Sequence, residues 1–176
     1  IWNEGLTRAA YGQWNTAQIR TPWGRGHLHR YALLDDRGEL LATAKQYRHD
    51  VRLDGRDGWM CGFGAVFTPP ARRGQGHAAA LIDAMVTDAA ERGCAIALLF
   101  SEIGAQYYER LGFQVVPRAM VTVDVLPFTG SPAMLVRSGE AADLGAIAEI
   151  TARYSEGAAF ALDRTPDLIG FGLARK

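Results

Sequence analysis

Ala65-Val66-Phe67-Thr68-Pro69-Pro70-Ala71-Arg72-Arg73-Gly74-Gln75-Gly76-His77-Ala78 is the stretch that decides how this chain is read. An apolar, β-branched run enters a loop with two prolines, and two arginines and two glycines then open a helical pattern. That order gathers free backbone N–H groups and the positive end of a helix dipole around one spot, which suits a phosphate. Glycine at 74 and 76 lets an anion approach the main chain where any Cβ would intrude. Arg72 and Arg73 add permanent positive charge and bidentate donors. A plain tight turn with solvated arginines would need fewer of these features.

Outward from this loop the chain alternates strand and helix. Downstream, 75–92 predicts a helix with Ala78, Leu81, Ile82, Met85 and Ala89 inward and Gly93 past its end. Cys94–Phe100 is apolar throughout, as a strand covered on both faces should be. A short helix is expected over 105–111, ended by Gly112, then strands over 113–116 and 120–126, the latter paired antiparallel. Upstream, 59–68 is the strand that enters the loop, and Gly62-Phe63-Gly64 within it suggests a bulge or a splayed edge. Strands over 28–35 and 39–53 flank a turn at Asp35-Asp36-Arg37-Gly38. A helix over 4–18 carries Leu6, Ala10, Trp14 and Ala17 on one face, and 21–26 reads as a breaker loop. The alternation predicts an α/β chain with a mixed sheet and helices on both faces.

The division expected is one domain over 1–126, a linker over 127–134 containing Pro127-Phe128-Thr129-Gly130-Ser131-Pro132, and a C-terminal extension over 135–176. In that extension Leu135-Val136-Arg137 is strand-like and 140–154 helical. The extension reads either as a helix docked on the first domain or as the start of a second, truncated domain. The chain begins at Ile1 and ends at Lys176 without terminal punctuation, and so reads as a piece of a longer protein.

Composition bounds the function. Hydrophobic residues make up 48% and charged residues 22%, ordinary for a globular protein. The formal net charge is zero, which gives no global pull toward nucleic acid or an acidic membrane. No apolar run approaches the ~20 residues of a membrane span, and no signal peptide is visible. Cys61 and Cys94 form no disulfide framework and read as buried thiols, an expectation that fits the cytoplasm. The histidines lack metal-ligand spacing, so no metal is expected.

Two segments carry a family resemblance. Arg73-Gly74-Gln75-Gly76-His77-Ala78 resembles the Arg/Gln-x-x-Gly-x-Gly/Ala signature of the GNAT N-acetyltransferase superfamily. Tyr108-Glu109-Arg110-Leu111-Gly112-Phe113 resembles the Tyr-Glu-x-x-Gly-Phe segment that follows it in that family. Either alone is weak; both, in order with strand and helix between, are specific. The likeness covers roughly 60–117. Val136-Arg137-x-Gly139-x-x-x-Asp143-Leu144 also resembles the way such domains begin. The rival is a dinucleotide fold, since Gly74-x-Gly76-x-x-Ala79 fits its fingerprint. There, however, the first glycine ends the first strand directly, and here Pro69–Arg73 intervene.

The resemblance implies the GNAT acyl-CoA N-acyltransferase fold, whose central strand splays to admit a pantetheine arm. It implies acetyl transfer from acetyl-CoA to a primary amine, of a small molecule or a lysine side chain, by direct attack in a ternary complex. The partners are then acetyl-CoA and an amine acceptor, with no nucleic acid and no membrane, and a homodimer is compatible with it. Val66, Phe67 and Thr68 would contact pantetheine, and an N–H near Val66 would stabilise the oxyanion. Arg73, Gly74, Gln75, Gly76, His77 and Ala78 would cradle the diphosphate, with His77 offering its backbone. Ser101 stands where many relatives carry an asparagine near the CoA arm.

Tyr108 aligns with the tyrosine that protonates the leaving thiolate, Tyr107 being its competitor. The region before the first strands would shape the acceptor site, with Trp2, Trp14 and Trp23 as lining or as packing residues. The general base is not legible, because 59–64 lacks the family's strand carboxylate. Glu102, His49, Asp57, a water chain or a terminal carboxylate of a longer chain remain open, with Glu102 nearest the cofactor end of the sheet. That missing carboxylate keeps a second reading alive: a non-catalytic acyl-CoA-binding sensor or scaffold.

Overall fold

The computed structural model describes residues 5–117, 120–124, 130 and 137–174. Its frame is an antiparallel meander of β1 (Leu28–Leu34), β2 (Leu40–Leu53) and β3 (Arg56–Phe67). Asp35 closes the first turn, its Oδ1 accepting the N–H groups of Arg37 and Glu39 at 2.9 Å each. Those bonds, that of Glu39 above all, hold its carboxyl below the ordinary carboxylate range. The fourth strand, β4 (Ile96–Leu99), joins β3 in parallel, from Met60 opposite Ile96 to Phe63 opposite Leu99. Parallel and antiparallel pairing together make the mixed α/β sheet that the alternation predicts.

The crossover between β3 and β4 is α3 (His77–Glu91), which covers one face of the sheet. Its Leu81, Met85 and Ala89 pack on Ala42, Ala44, Cys61 and Phe63, and Ile82 is fully buried beside them. Burial of each of the larger ones, Leu81, Ile82, Met85 and Phe63, contributes on the order of 1.5–3 kcal/mol. The inward set matches the periodicity of the sequence, apart from a half-buried Ala78.

The opposite face carries α1 (Arg8–Arg20) and α2 (Pro22–His27). Two expectations fail here. The 21–26 loop is a helix, because Thr21 caps it, accepting the Gly24 N–H at 3.0 Å, and Pro22 stands at its first turn. The inward residues of α1 are polar, Asn15 and Gln18, while Leu6 and Ala17 are exposed. Asn15 turns inward because its Oδ1 accepts Lys45 Nζ at 2.7 Å and an Arg30 guanidinium N–H at 3.2 Å. A helix face chosen by hydrogen bonding leaves no apolar stripe to read.

The strands expected over 113–116 and 120–126 do not form in the described part of those ranges, up to Asp124. Val115, Val116, Val121 and Val123 are all well over half exposed. A β-branched run becomes a strand only when it gains a ladder and a face to pack, and Pro117, directly after the first of these ranges, has no N–H to extend a ladder. Trp2, Leu135, Val136 and the linker apart from Gly130 lie outside the described residues.

Between β4 and the tail stands the short α4 (Gln106–Glu109). Beyond a 3-10 turn at Ala141–Asp143 come α5 (Leu144–Tyr154), β5 (Phe160–Leu162) and α6 (Pro166–Leu173). The last two are missed by periodicity, being too short to show it. The β5 strand pairs with Val51–Leu53, the part of β2 that β1 leaves uncovered. Phe171 of α6, 2% exposed, closes a second cluster with Trp23 and Leu28, against which Ile19, Tyr47 and Leu168 pack.

Both cysteines are free thiols, with sulfurs 3.6 Å apart. Burial, and then contact with Cys94, pushes the Cys61 thiol up to about 12, so it is protonated and inert at neutral pH. We expect a thiol reagent to titrate at most one cysteine, the half-buried Cys94, in the folded protein. Cys61 should react only after denaturant is added; two fast equivalents in the native state would contradict this.

Candidate functional site

The site is built where β3 and β4 part. Their ladder ends at Phe63 and Leu99, yet β3 runs on to Phe67. On the β2 side Gly64 stands opposite Lys45 and Phe67 opposite Thr43, so Ala65 and Val66 together oppose Ala44. That is a bulge, and Ala65 takes φ +50 within it. A left-handed alanine costs roughly 1–2 kcal/mol, which the surrounding ladder must hold. The bulge therefore follows Gly62-Phe63-Gly64 instead of lying in it. The two glycines make room for an aromatic ring: a Cβ added at Gly64 would stand 3.4 Å from Tyr47 Cε2.

The loop beyond β3 begins with a 3-10 turn at Pro70–Arg72. Its two arginines have separate tasks. Arg72 is tied to the β1–β2 turn by Glu39, with Asp35 3.7 Å away, and so anchors the loop. Arg73 donates one Nε bond to Thr68 O at 3.3 Å and is otherwise exposed. Gly74 has φ +74 and Gly76, the N-cap of α3, φ +82, and a Cβ added at either meets nothing within 4 Å. No side chain caps α3, so the first-turn N–H groups of His77, Ala78 and Ala79 have no helical acceptor. The His77 ring is engaged by Gln75 Oε1 at 3.2 Å, leaving the backbone of His77 as its contribution. Open main chain, an uncapped helix start and one guanidinium together suit a phosphate group.

Across the opening lie residues 100–108. Ser101 and Glu102 follow Leu99, the last residue of β4 on that ladder, by two and three positions. Ser101 Oγ donates to Gly104 O at 2.8 Å, closing its own turn, and Glu102 is exposed. Tyr108 on α4 is half-buried, its ring 6.0 Å from Phe113, which reaches Phe63 of β3 at 6.5 Å. Burial, and then Tyr107, push the Tyr108 phenol above its ordinary value. Burial raises Tyr107 too, against the opposing pull of Arg110. Both phenols are therefore proton donors at neutral pH. The rings stand at 89° to one another, which gives the two hydroxyls different directions.

The other carboxylate and imidazole sit elsewhere. Asp57, 3.5 Å from Arg52, lines an open cleft of about 600 Å³ with Ser155, Gly157, Ala158 and Ala159. That cleft is at the far end of β3, some 30 Å from Val66 at a strand's ~3.3 Å per residue. His49 stands opposite Met60, beside Trp23, six residues or ~20 Å short of Val66. The features sequence reading missed are the Ala65 bulge, the Arg72 anchor and Tyr47. Tyr47 left a trace in the two glycines facing it, and the bulge lies just beyond Gly62-Phe63-Gly64, where one was expected. Among the described residues no His, Cys, Asp or Glu group could hold a metal ion, and no helix is long and apolar enough to cross a membrane.

The sequence profile of the acetyltransferase (GNAT) domain matches residues 5–116. An acetyltransferase from Trypanosoma brucei superposes with a TM-score of 0.51 at 22% identity, over 68% of this chain and 81% of that one. Glucosamine-6-phosphate N-acetyltransferase from Arabidopsis thaliana gives 0.52 at 15% identity, over 68% and 80%. A predicted acetyltransferase with acetyl-CoA from Clostridium acetobutylicum gives 0.51 at 20%, over 68% and 80%. At these identities the likeness establishes the fold. No curated protein matches the chain.

Proposed function

The chain belongs to the acetyltransferase (GNAT) domain family, and from that premise we propose that it moves the acetyl group of acetyl-CoA onto a primary amine by direct attack in a ternary complex. The observation that carries this reading is the parting of β3 from β4 beyond Phe63 and Leu99, directly before the uncapped start of α3. The diphosphate would lie on the backbone of Gly74, Gln75, Gly76, His77 and Ala78, with Arg73 beside it. The open space at both glycines and the bare first turn fit such a group. Main-chain groups of Val66, Phe67 and Thr68, turned by the bulge at Ala65, would hold the pantetheine arm. Ser101 would help from across the opening.

The chemistry assigned to each residue follows from charge. As the amine nitrogen bonds to the thioester carbon, negative charge grows on the carbonyl oxygen, where an N–H near Val66 would receive it. The C–S bond then breaks and the thiolate takes the hydroxyl proton of Tyr108, which burial keeps protonated. The amine nitrogen loses a proton to a base. Glu102 is the carboxylate at the right end of the sheet, where its exposure suits relay through water. The proton taken up by the base makes good the one Tyr108 gives away, so neutral amine and acetyl-CoA become acetylated amine and free thiol with no net proton released.

A second reading has one observation in its favour. No carboxylate stands on β3 from Gly58 to Phe67, so an acyl-CoA-binding module without turnover would need no further change. Thiol release from acetyl-CoA, measured against a panel of small amines and lysine peptides, decides between them. We expect release that depends on at least one amine. Saturable acetyl-CoA binding with no release for any amine would establish the binding module.

A further inference from the structure

Resting on that reading, we infer that Tyr47 forms the acceptor-side floor of the transfer site and that the C-terminal helix α6 sets it in place through Phe171. Tyr47 projects from β2 on the face opposite α3, paired with Gly62. Its atoms trace a path along β3. A Cβ at Gly62 would lie 3.7 Å from Tyr47 Cβ and 4.0 Å from Cδ2, and one at Gly64 would lie 3.4 Å from Cε2. The ring thus runs from Gly62 toward Gly64, the glycine directly before the bulge at Ala65. That is the end at which the thioester carbonyl would sit, approached from the α1–α2 side of the sheet. A planar, half-buried ring there covers the β3 backbone and presents an edge against which an amine-bearing chain can rest.

The ring is fixed from behind. Phe171 meets Tyr47 edge-on at 6.3 Å and packs on Trp23 at 4.5 Å. Trp23 in turn stacks on His27 at 4.8 Å, so α2, β2 and α6 clamp one aromatic set. Residues more than a hundred positions downstream of Tyr47 thereby belong to the acceptor side. Tyr47 would touch the acceptor without exchanging a proton, and Phe171, which acts through it, is the positioning residue.

The test uses the full chain and the amine that gives the fastest thiol release in the panel. Tyr47→Leu should raise the KM for that amine about tenfold, the loss of one well-packed contact, while acetyl-CoA affinity by calorimetry stays at the parent value. Tyr47→Phe should restore most of the difference, since the ring and not the hydroxyl is the floor. Phe171→Leu, which keeps an apolar side chain in the cluster, should raise amine KM in the same direction by a smaller factor. If Tyr47→Leu lowers thermal stability but leaves amine KM unchanged, Tyr47 is a packing residue and the inference fails alone. If the parent releases no thiol with any amine, the proposed function fails first and takes the inference with it.

Discussion

Gly76→Val should weaken acetyl-CoA binding by at least about 100-fold while the protein stays folded. The residue is the N-cap of α3 with φ +82, and a Cβ there would enter space free of protein atoms within 4 Å. Two costs follow, and they fall on different states. The left-handed conformation costs a side-chain-bearing residue roughly 1–2 kcal/mol in the free protein, which a small drop in melting temperature would report. The larger cost comes with ligand. The new methyls would occupy the volume through which a diphosphate reaches the N–H groups of the first turn, and two lost hydrogen bonds to a charged group are worth about 3 kcal/mol or more. Gly76→Ala separates the two, since it shares the strain but adds one methyl. Calorimetric titration with acetyl-CoA checks the order: parent tightest, alanine weaker, valine weakest. A folded valine variant with parent affinity would remove this loop from the binding site.

How much of this was legible in the sequence depends on what each feature rests on. The strand–loop–helix at 65–78 could be read because backbone geometry demands particular residues, and glycine at 76 with positive φ is one such demand. The inward stripe of α3 could be read because burial on a flat sheet leaves a 3.6-residue period. Asn15 could not, since its inward turn answers to Lys45 and Arg30, fifteen or more positions away. Nor could the fate of Val115 and Val116, whose β-branching describes a strand's preference but supplies no partner for it. Thr21-Pro22 is readable in principle: a capping threonine before a proline is a helix start, and Gly24 and Gly26 just after it imitate a loop. Within the site, the division of labour between Arg72 and Arg73 needed the β1–β2 turn to be placed beside the loop. The candidate acid could be located by its segment alone. Its environment could not.

That environment makes Tyr108→Phe the sharpest test of catalysis. The substitution keeps the ring against Phe113 and Tyr107 and removes only the hydroxyl. If that hydroxyl protonates the departing thiolate, kcat should fall about 100-fold, the scale of a lost general acid, with acetyl-CoA affinity nearly unchanged. The pH profile adds a second, independent readout. Burial raises the phenol above its ordinary value of 10.0, so the acid form persists to higher pH than an exposed tyrosine would allow. Parent kcat should therefore stay level through the mildly alkaline range and fall only as pH passes the raised phenol value; the phenylalanine variant should lack that final fall. Tyr107→Phe, whose ring stands at 89° to its neighbour, controls for the adjacent phenol and should leave most of the activity in place. A Tyr108→Phe enzyme with parental kcat and the same alkaline limb would take Tyr108 out of the mechanism and leave the thiolate to be protonated by water.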